Sequence, residues 1–387
     1  MGLLGTRPVG IILRVFDQRS HIATEQTIAI PRCFLCSVRF RLWGDGLADV
    51  ALSISACRWP ERYRGGPSIK VFLNRGGSFE SEPDFAYPLA EGVNLEGKLR
   101  IGHLDDDGVA DLFAGTSEGL LVLESQGGKL DYRPLTIPGL SRSMQIITAD
   151  ADGDGVKDLV VGRRFNATFH IVLRRADGTF ARPQCRRLSG ASFDAQVIEL
   201  NGDRAADLAF SSGDVFLGDA DGTWGDDPAV RLPTHNGWTF MAAADFNADG
   251  RPDVALASNN RGTGVAQITV FRNTGAGSKP FATEPTRTIT LSDAWVLRDG
   301  PTVADFNGDD IADLVLCTPS DRHGAVVVPG SARGLDPEAV MRVPLSYKAH
   351  YDTKIGAADF NRDGKPDLAS FGPSDVGAPG VYIWLQP

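Results

Sequence analysis

Asp245-Phe246-Asn247-Ala248-Asp249-Gly250-Arg251-Pro252-Asp253-Val254-Ala255-Leu256 is the stretch on which the fold turns. Positions 1, 3, 5 and 9 are acids or amides, position 6 is glycine, and an apolar run begins directly after position 9. Its acid and amide positions return in full three times: Asp150-Ala-Asp152-Gly-Asp154-Gly155-Val156-Lys-Asp158, Asp305-Phe-Asn307-Gly-Asp309-Asp310-Ile311-Ala-Asp313, where Asp310 replaces the glycine, and Asp359-Phe-Asn361-Arg-Asp363-Gly364-Lys365-Pro-Asp367. Three degenerate copies fill the gaps. His103-Leu-Asp105-Asp-Asp107-Gly108-Val-Ala-Asp111 loses the first acid, Glu199-Leu-Asn201-Gly-Asp203-Arg204-Ala-Ala-Asp207 loses the glycine, and Arg41-Leu-Trp43-Gly-Asp45-Gly46-Leu-Ala-Asp49 keeps only its second half. The fifth positions fall at 45, 107, 154, 203, 249, 309 and 363. Their mean spacing of about 53 residues is the signature of a repeat architecture.

Each unit follows one plan. A short apolar strand precedes the acidic loop (Ser143–Thr148, Trp238–Ala244) and a second follows it (Asp158–Val161, Asp253–Ala257). A third comes after a variable loop (Ile69–Leu73, Phe169–Leu173, Gln267–Phe271, Ala325–Val328). A turn carrying an aromatic, such as Asn74–Phe79, Ala176–Phe180 or Ala220–Trp224, then leads to a fourth (Thr286–Leu291, Ala339–Pro344). Gly 44 and Pro 23 are about 17% of the chain, punctuation that suits many short strands, and no segment sustains helical periodicity. Four antiparallel strands per unit and seven units predict an all-β, seven-bladed β-propeller. The last unit stops after its third strand, Val381–Leu385. Its missing strand is expected from the N-terminus, at Glu25–Ile30, so that residues 1–31 close the ring and residues 32–387 form the propeller proper. Val9–Phe16 reads as an additional strand, the stub of a longer protein.

The acidic loop and its apolar strand resemble the FG-GAP/VCBS-type repeat of integrin α-subunit propellers and of related bacterial and fungal surface proteins and lectins. The resemblance covers roughly residues 32–387. It implies a propeller fold and an extracellular or cell-surface setting, and it names no single activity, because this fold hosts adhesion, lectin, lyase and toxin-associated roles.

Calcium takes 6–8 oxygen ligands, and a short acid-rich turn supplies them together with a backbone carbonyl at position 7. The expected ligand sets are Asp150, Asp152, Asp154, Asp158 with the Val156 carbonyl; Asp245, Asn247, Asp249, Asp253 with Arg251; Asp305, Asn307, Asp309, Asp313 with Ile311; and Asp359, Asn361, Asp363, Asp367 with Lys365. That makes about four structural Ca²⁺ sites. Asp105, Asp107 and Asp111 form a weaker set, and the loops at Asp203 and Asp45 are expected to be empty or marginal. The alternative is an Asx-type turn whose acids bond only the backbone. Full copies in register favour the ion, since carboxylates crowded into nine residues repel without a cation.

Uniform acidic loops occupy one rim; the variable loops and inter-blade segments fall on the other, where ligand-binding residues are expected. They carry Trp59, Arg62, Tyr63, Arg64, Arg164, Arg261 and Arg322, with Trp238, Trp295 and Tyr351 shortly before acidic loops. Aromatic faces beside arginine suit sugar rings or an acidic protein surface; alternatively the aromatics wedge between blades as core. The expected partner is therefore a glycan or a cell-surface protein. A net charge of −10 argues against a general nucleic-acid binder, and no run approaches the ~20 apolar residues of a membrane helix. Arg7, Pro8 and Arg14 break the apolar N-terminal stretch, so no export signal is evident. Cys33 and Cys36 form a lone C-x-x-C, without the second pair that a zinc site needs. Two other function classes stay open. One is a polysaccharide lyase or hydrolase, for which His103, His170, His235, His323 and His350 are scattered candidate bases with no catalytic spacing. The other is a structural module of a larger toxin or surface protein.

Overall fold

The computed structural model describes residues 11–16, 22–28, 35–39, 49–54 and 66–384, apart from segments at 76–77, 81, 106, 127–128, 142, 164–166, 191, 193, 204, 220–223, 235–238, 260–264, 276, 292–299, 318–324, 344–353, 360, 362 and 374–378. The described strands assemble into seven sheets. Sheets one to six each take four consecutive strands in antiparallel order. Sheet three, for example, is Ser143–Ala149, Asp158–Arg163, Thr168–Val172 and Gln184–Arg187. Sheet five is Thr239–Ala244, Asp253–Asn259, Ala266–Phe271 and Arg287–Leu291. No helix long and apolar enough to cross a membrane occurs among the described residues.

The strands are apolar on both faces because both faces are covered. In the second strand of sheet five, Val254 and Leu256 pack with residues of sheet four, whereas Ala255 and Ala257 pack with Leu314, Leu316, Val326 and Val328 of sheet six. In sheet three, Leu159 and Val161 face sheet two while Val160 faces sheet four. Side chains alternate along a strand, so consecutive residues feed two different interfaces, and a continuous apolar run is what such a buried strand requires. Core clusters of this kind join each of sheets one to six to the next. Between sheets three and four, Phe169, Phe210 and Phe216 form a trio with ring centroids 4.7, 5.2 and 5.9 Å apart. The aromatic of the turn between third and fourth strands is also sequestered: Phe79, Trp224 and Phe281 are 5%, 8% and 4% exposed. This is the propeller architecture.

The seventh sheet corrects one expectation. Its order is Ile22–Ile28, Ile11–Phe16, Pro379–Trp384, Asp367–Pro373, Lys354–Ala358. Ile11–Phe16, not Glu25–Ile30, lies against the last strand of the chain, and the pairing is parallel, with Leu13 opposite Val381. The Glu25-bearing strand pairs on its outer side, antiparallel, with Glu25 opposite Arg14. Composition explains the order. The apolar IILRVF strand takes a partner on each side, and the polar IATEQTI strand is left as the edge, where polar residues discourage unwanted pairing.

Candidate metal centre

Every acidic loop ends on an aspartate that the fold buries. Asp49, Asp111, Asp158, Asp207, Asp253, Asp313 and Asp367 are each 0% or 1% exposed. One oxygen accepts a backbone N–H from the end of the same sheet's third strand: Asn74 to Asp49 at 2.9 Å, Ser125 to Asp111 at 2.8 Å, Arg174 to Asp158 at 2.6 Å, Gly218 to Asp207, Asn273 to Asp253 and Gly330 to Asp313 at 2.8 Å. The other oxygen accepts the N–H of the loop's second residue, as Ala151 gives to Asp158 at 2.8 Å and Phe306 to Asp313 at 2.7 Å. In sheet five the Asn247 side-chain amide takes that place, 2.7 Å from Asp253. The ninth-position carboxylate thus ties the 1–2 loop to the third strand. Burial pushes Asp111, Asp158, Asp207 and Asp253 up to about 6 against the backbone N–H bonds that pull them down.

The remaining loop positions form a nested set of Asx turns. The first carboxylate accepts the N–H of position 6: Gly155 to Asp150 at 3.0 Å, Gly250 to Asp245 at 2.7 Å, Asp310 to Asp305 at 2.9 Å and Gly364 to Asp359 at 3.0 Å. The fifth accepts the N–H of position 7: Val156 to Asp154, Arg251 to Asp249, Ile311 to Asp309 and Lys365 to Asp363, at 2.7–3.0 Å. These bonds hold the acids in one cradle, and two observations show that the cradle fits a cation. Asp150, Asp152 and Asp158 each present a carboxylate oxygen, all within 4.8 Å of one another. Ligands at 2.3–2.6 Å on opposite sides of a calcium ion stand about 5 Å apart. Asp150 Oδ1 is buried without a hydrogen-bond partner, as is Asn247 Oδ1 in sheet five. Burial and neighbouring acids raise Asp152 and Asp105, the direction expected of carboxylates that lack a counter-ion.

Asp203 in sheet four adopts the same turn, its Oδ1 accepting the Ala205 N–H at 2.7 Å, with Glu199 accepting the Asn201 and Gly202 amides. In sheet two, Asp107 accepts the Val109 N–H at 2.8 Å, and Asp105 accepts the Asp107 N–H at 3.2 Å. Asp45 lies outside the described residues.

The FG-GAP-like repeat family matches residues 103–161, 199–256 and 245–316, each match opening at the first position of an acidic loop. Over these residues the β-propeller is built of FG-GAP-like repeats. The phosphatidylinositol-glycan-specific phospholipase D of Bos taurus is 28% identical over 141 residues, 35% of this chain but only 16% of that enzyme's length. Among solved structures, an Agrocybe aegerita lectin determined for its recognition of non-reducing terminal N-acetylglucosamine superimposes with a TM-score of 0.60. It is 19% identical, and the alignment covers 88% of this chain and 92% of the lectin. A protein from Lactobacillus plantarum aligns with a TM-score of 0.50 at 11% identity, over 90% of this chain and 99% of its own.

The ten residues expected on the ligand face of the FG-GAP-like propeller, Trp59, Arg62, Tyr63, Arg64, Arg164, Trp238, Arg261, Trp295, Arg322 and Tyr351, all lie outside the described residues. So do His235, His323 and His350; His103 is exposed and His170 lies within the third strand of sheet three. Two features of the site escape a reading of the motif alone. The ninth aspartate is a backbone brace as much as a candidate ligand, and the sequence does carry a signal for it: Asp49 and Asp207 persist in loops that have lost other motif positions. The second feature is a pair of arginines on Asp249, one of them 23 residues away along the chain.

Proposed function

We propose that this FG-GAP-like propeller is a calcium-braced, secreted or surface-exposed binding module whose ligand is a glycan. The observation that carries the calcium reading is the three-carboxylate group Asp150, Asp152 and Asp158, with Asp150 Oδ1 buried and unpartnered. An ion there, and in the sister loops at Asp305–Asp313 and Asp359–Asp367, neutralises the crowded acids and fixes each 1–2 loop. Such a repeated site is a scaffold; a catalytic metal is more often unique, with an open coordination position. The antiparallel order of each sheet puts the acidic loops and the 3–4 turns at one end and the 2–3 loops at the other. In the sequence the arginine- and tryptophan-bearing segments fall between second and third strands or between successive units, and their chemistry fits sugar rings. Similarity in fold to an N-acetylglucosamine-recognising lectin supports this class of ligand.

A glycan array probed with the purified chain in millimolar calcium, and again in EDTA, tests the reading. Glycan binding that is lost in EDTA is expected. A folded protein silent toward glycans in both buffers would overturn the glycan assignment and leave a protein partner as the occupant of that face.

A further inference from the structure

The acidic loops are not equivalent, and sheet five shows why. Asp249, at its fifth position, accepts hydrogen bonds on Oδ2 from the Arg251 guanidinium and from the Arg272 guanidinium, each at 2.9 Å. Arg272 adds a second contact through Nε at 3.3 Å. Arg251 is itself steadied by its Nε–H, which donates to the Asn273 carbonyl at 3.3 Å. Asp154 and Asp309, at the corresponding position of two other full loops, bond within their loops and meet no guanidinium among the described residues, while Asp363 has the lone charge of Lys365 beside it in place of two arginines. The position of Arg272, one residue before the amide that reaches the ninth aspartate, is held by Leu73, Glu124, Leu173, Leu217 and Pro329 in sheets one to four and six. Only sheet five among these places a cation there.

The same loop nevertheless keeps an oxygen for an ion. Asn247 is 5% exposed; its Nδ2 donates to Asp253 and its Oδ1 is buried with no partner. We propose that the Asp245–Asp253 loop is an arginine-guarded calcium site. Arg251 and Arg272 act as built-in counter-ions to Asp249, and calcium must displace them to bind. The loop of sheet three, where no guanidinium among the described residues holds Asp154, fills at lower calcium. The propeller then has two classes of site and responds to calcium in two steps, the second set by competition between a divalent ion and two tethered monovalent ones. This inference rests on the calcium reading above and adds to it an order of filling.

Isothermal titration of calcium into the chelator-stripped full chain tests it, comparing wild type with the Arg251→Leu/Arg272→Leu double variant. Both side chains are about half exposed, 43% and 49%, so their replacement costs little packing. The wild type is expected to show a tight and a weak class. In the double variant one weak site should tighten on the order of tenfold, as expected when two like charges close to an ion are removed. Adding Asp245→Asn should abolish the tightened site, and Arg272→Gln alone should give a smaller shift of the same sign. Isotherms that bind calcium but superimpose for wild type and variants would overturn the guarding role while leaving the calcium reading intact. Absence of calcium heat from all of the proteins would overturn that reading and this inference with it.

Discussion

At the scale of the residue, the ninth-position aspartate does work that the motif does not announce. Asp158, itself buried, holds two backbone amides, the buried Ala151 N–H and the part-buried Arg174 N–H. Asp158→Ala leaves both unpaired, at a cost of about 1–3 kcal/mol for the buried Ala151 donor and less for the part-buried one, so the variant should be destabilised in EDTA as well as in calcium. Chemical denaturation in both buffers measures this, and a loss confined to calcium would mean that the brace is unimportant. Asp310 presents the opposite case. It stands at φ 63° where Gly250 stands at φ 81°, a left-handed backbone that disfavours a side chain. Asp310→Gly keeps the Asp305 bond to its N–H and should raise stability by about 1 kcal/mol in the same assay.

These roles were unequally legible. The repeated Asp-x-Asp/Asn-x-Asp spacing places every cradle, because Asx turns are local and need nothing beyond nine residues. Arg272 was invisible to that reading: it reaches Asp249 only through the pairing of the second and third strands, with Val254 opposite Phe271. The ligand-face residues carry no period at all, and chemistry in variable loops leaves composition as its only trace.

At the scale of the element, the loop and the strand that follows it form one electrostatic unit whose response to pH has a definite sign. Asp111, Asp158, Asp207 and Asp253 are raised chiefly by burial, from 3.8 to about 6. A carboxyl that holds its proton more firmly folded than unfolded favours the folded state as the pH falls through that window, and the advantage is lost as the pH rises through 6. In EDTA the melting temperature should therefore be higher at pH 5.5 than at pH 7.5. In saturating calcium the order should reverse, since protons then compete with the ion. Melting curves at the two pH values in each buffer check this, and an unchanged order would mean that the ninth acids are not part of the ion's environment. The strand that follows each loop was legible by its apolar run, and its two-sided burial explains why that run does not alternate. The closing strand misled, because the half-polar, half-apolar stretch Glu25–Ile30 suits any edge and does not specify which neighbour it takes. The second strand of the N-terminal hairpin became the edge, and the more apolar first strand went inside.

At the scale of the whole molecule, stability comes from interfaces between consecutive sheets, each fed by alternate residues of two strands. The Phe169, Phe210 and Phe216 trio is the most aromatic of these, with each ring at most 2% exposed. Phe169→Ala should cost about 3–5 kcal/mol through lost burial and an unfilled cavity, read as a lower denaturation midpoint without loss of calcium binding. The repeat count and the all-β class were both legible, because a period of about 53 residues survives even where single loops decay.

The measurement that bears most directly on the account is the thermal melt of the full chain in EDTA, in millimolar calcium and in millimolar magnesium. Ions that bind only the folded ring stabilise it by about 2.7 kcal/mol per site at a hundredfold excess over Kd. Calcium, and not magnesium, should raise the melting temperature by several degrees, and Asp150→Asn should remove part of the rise. Coincident melts in all three buffers would contradict the claim that these loops are calcium braces and would leave them as Asx turns held by hydrogen bonds alone.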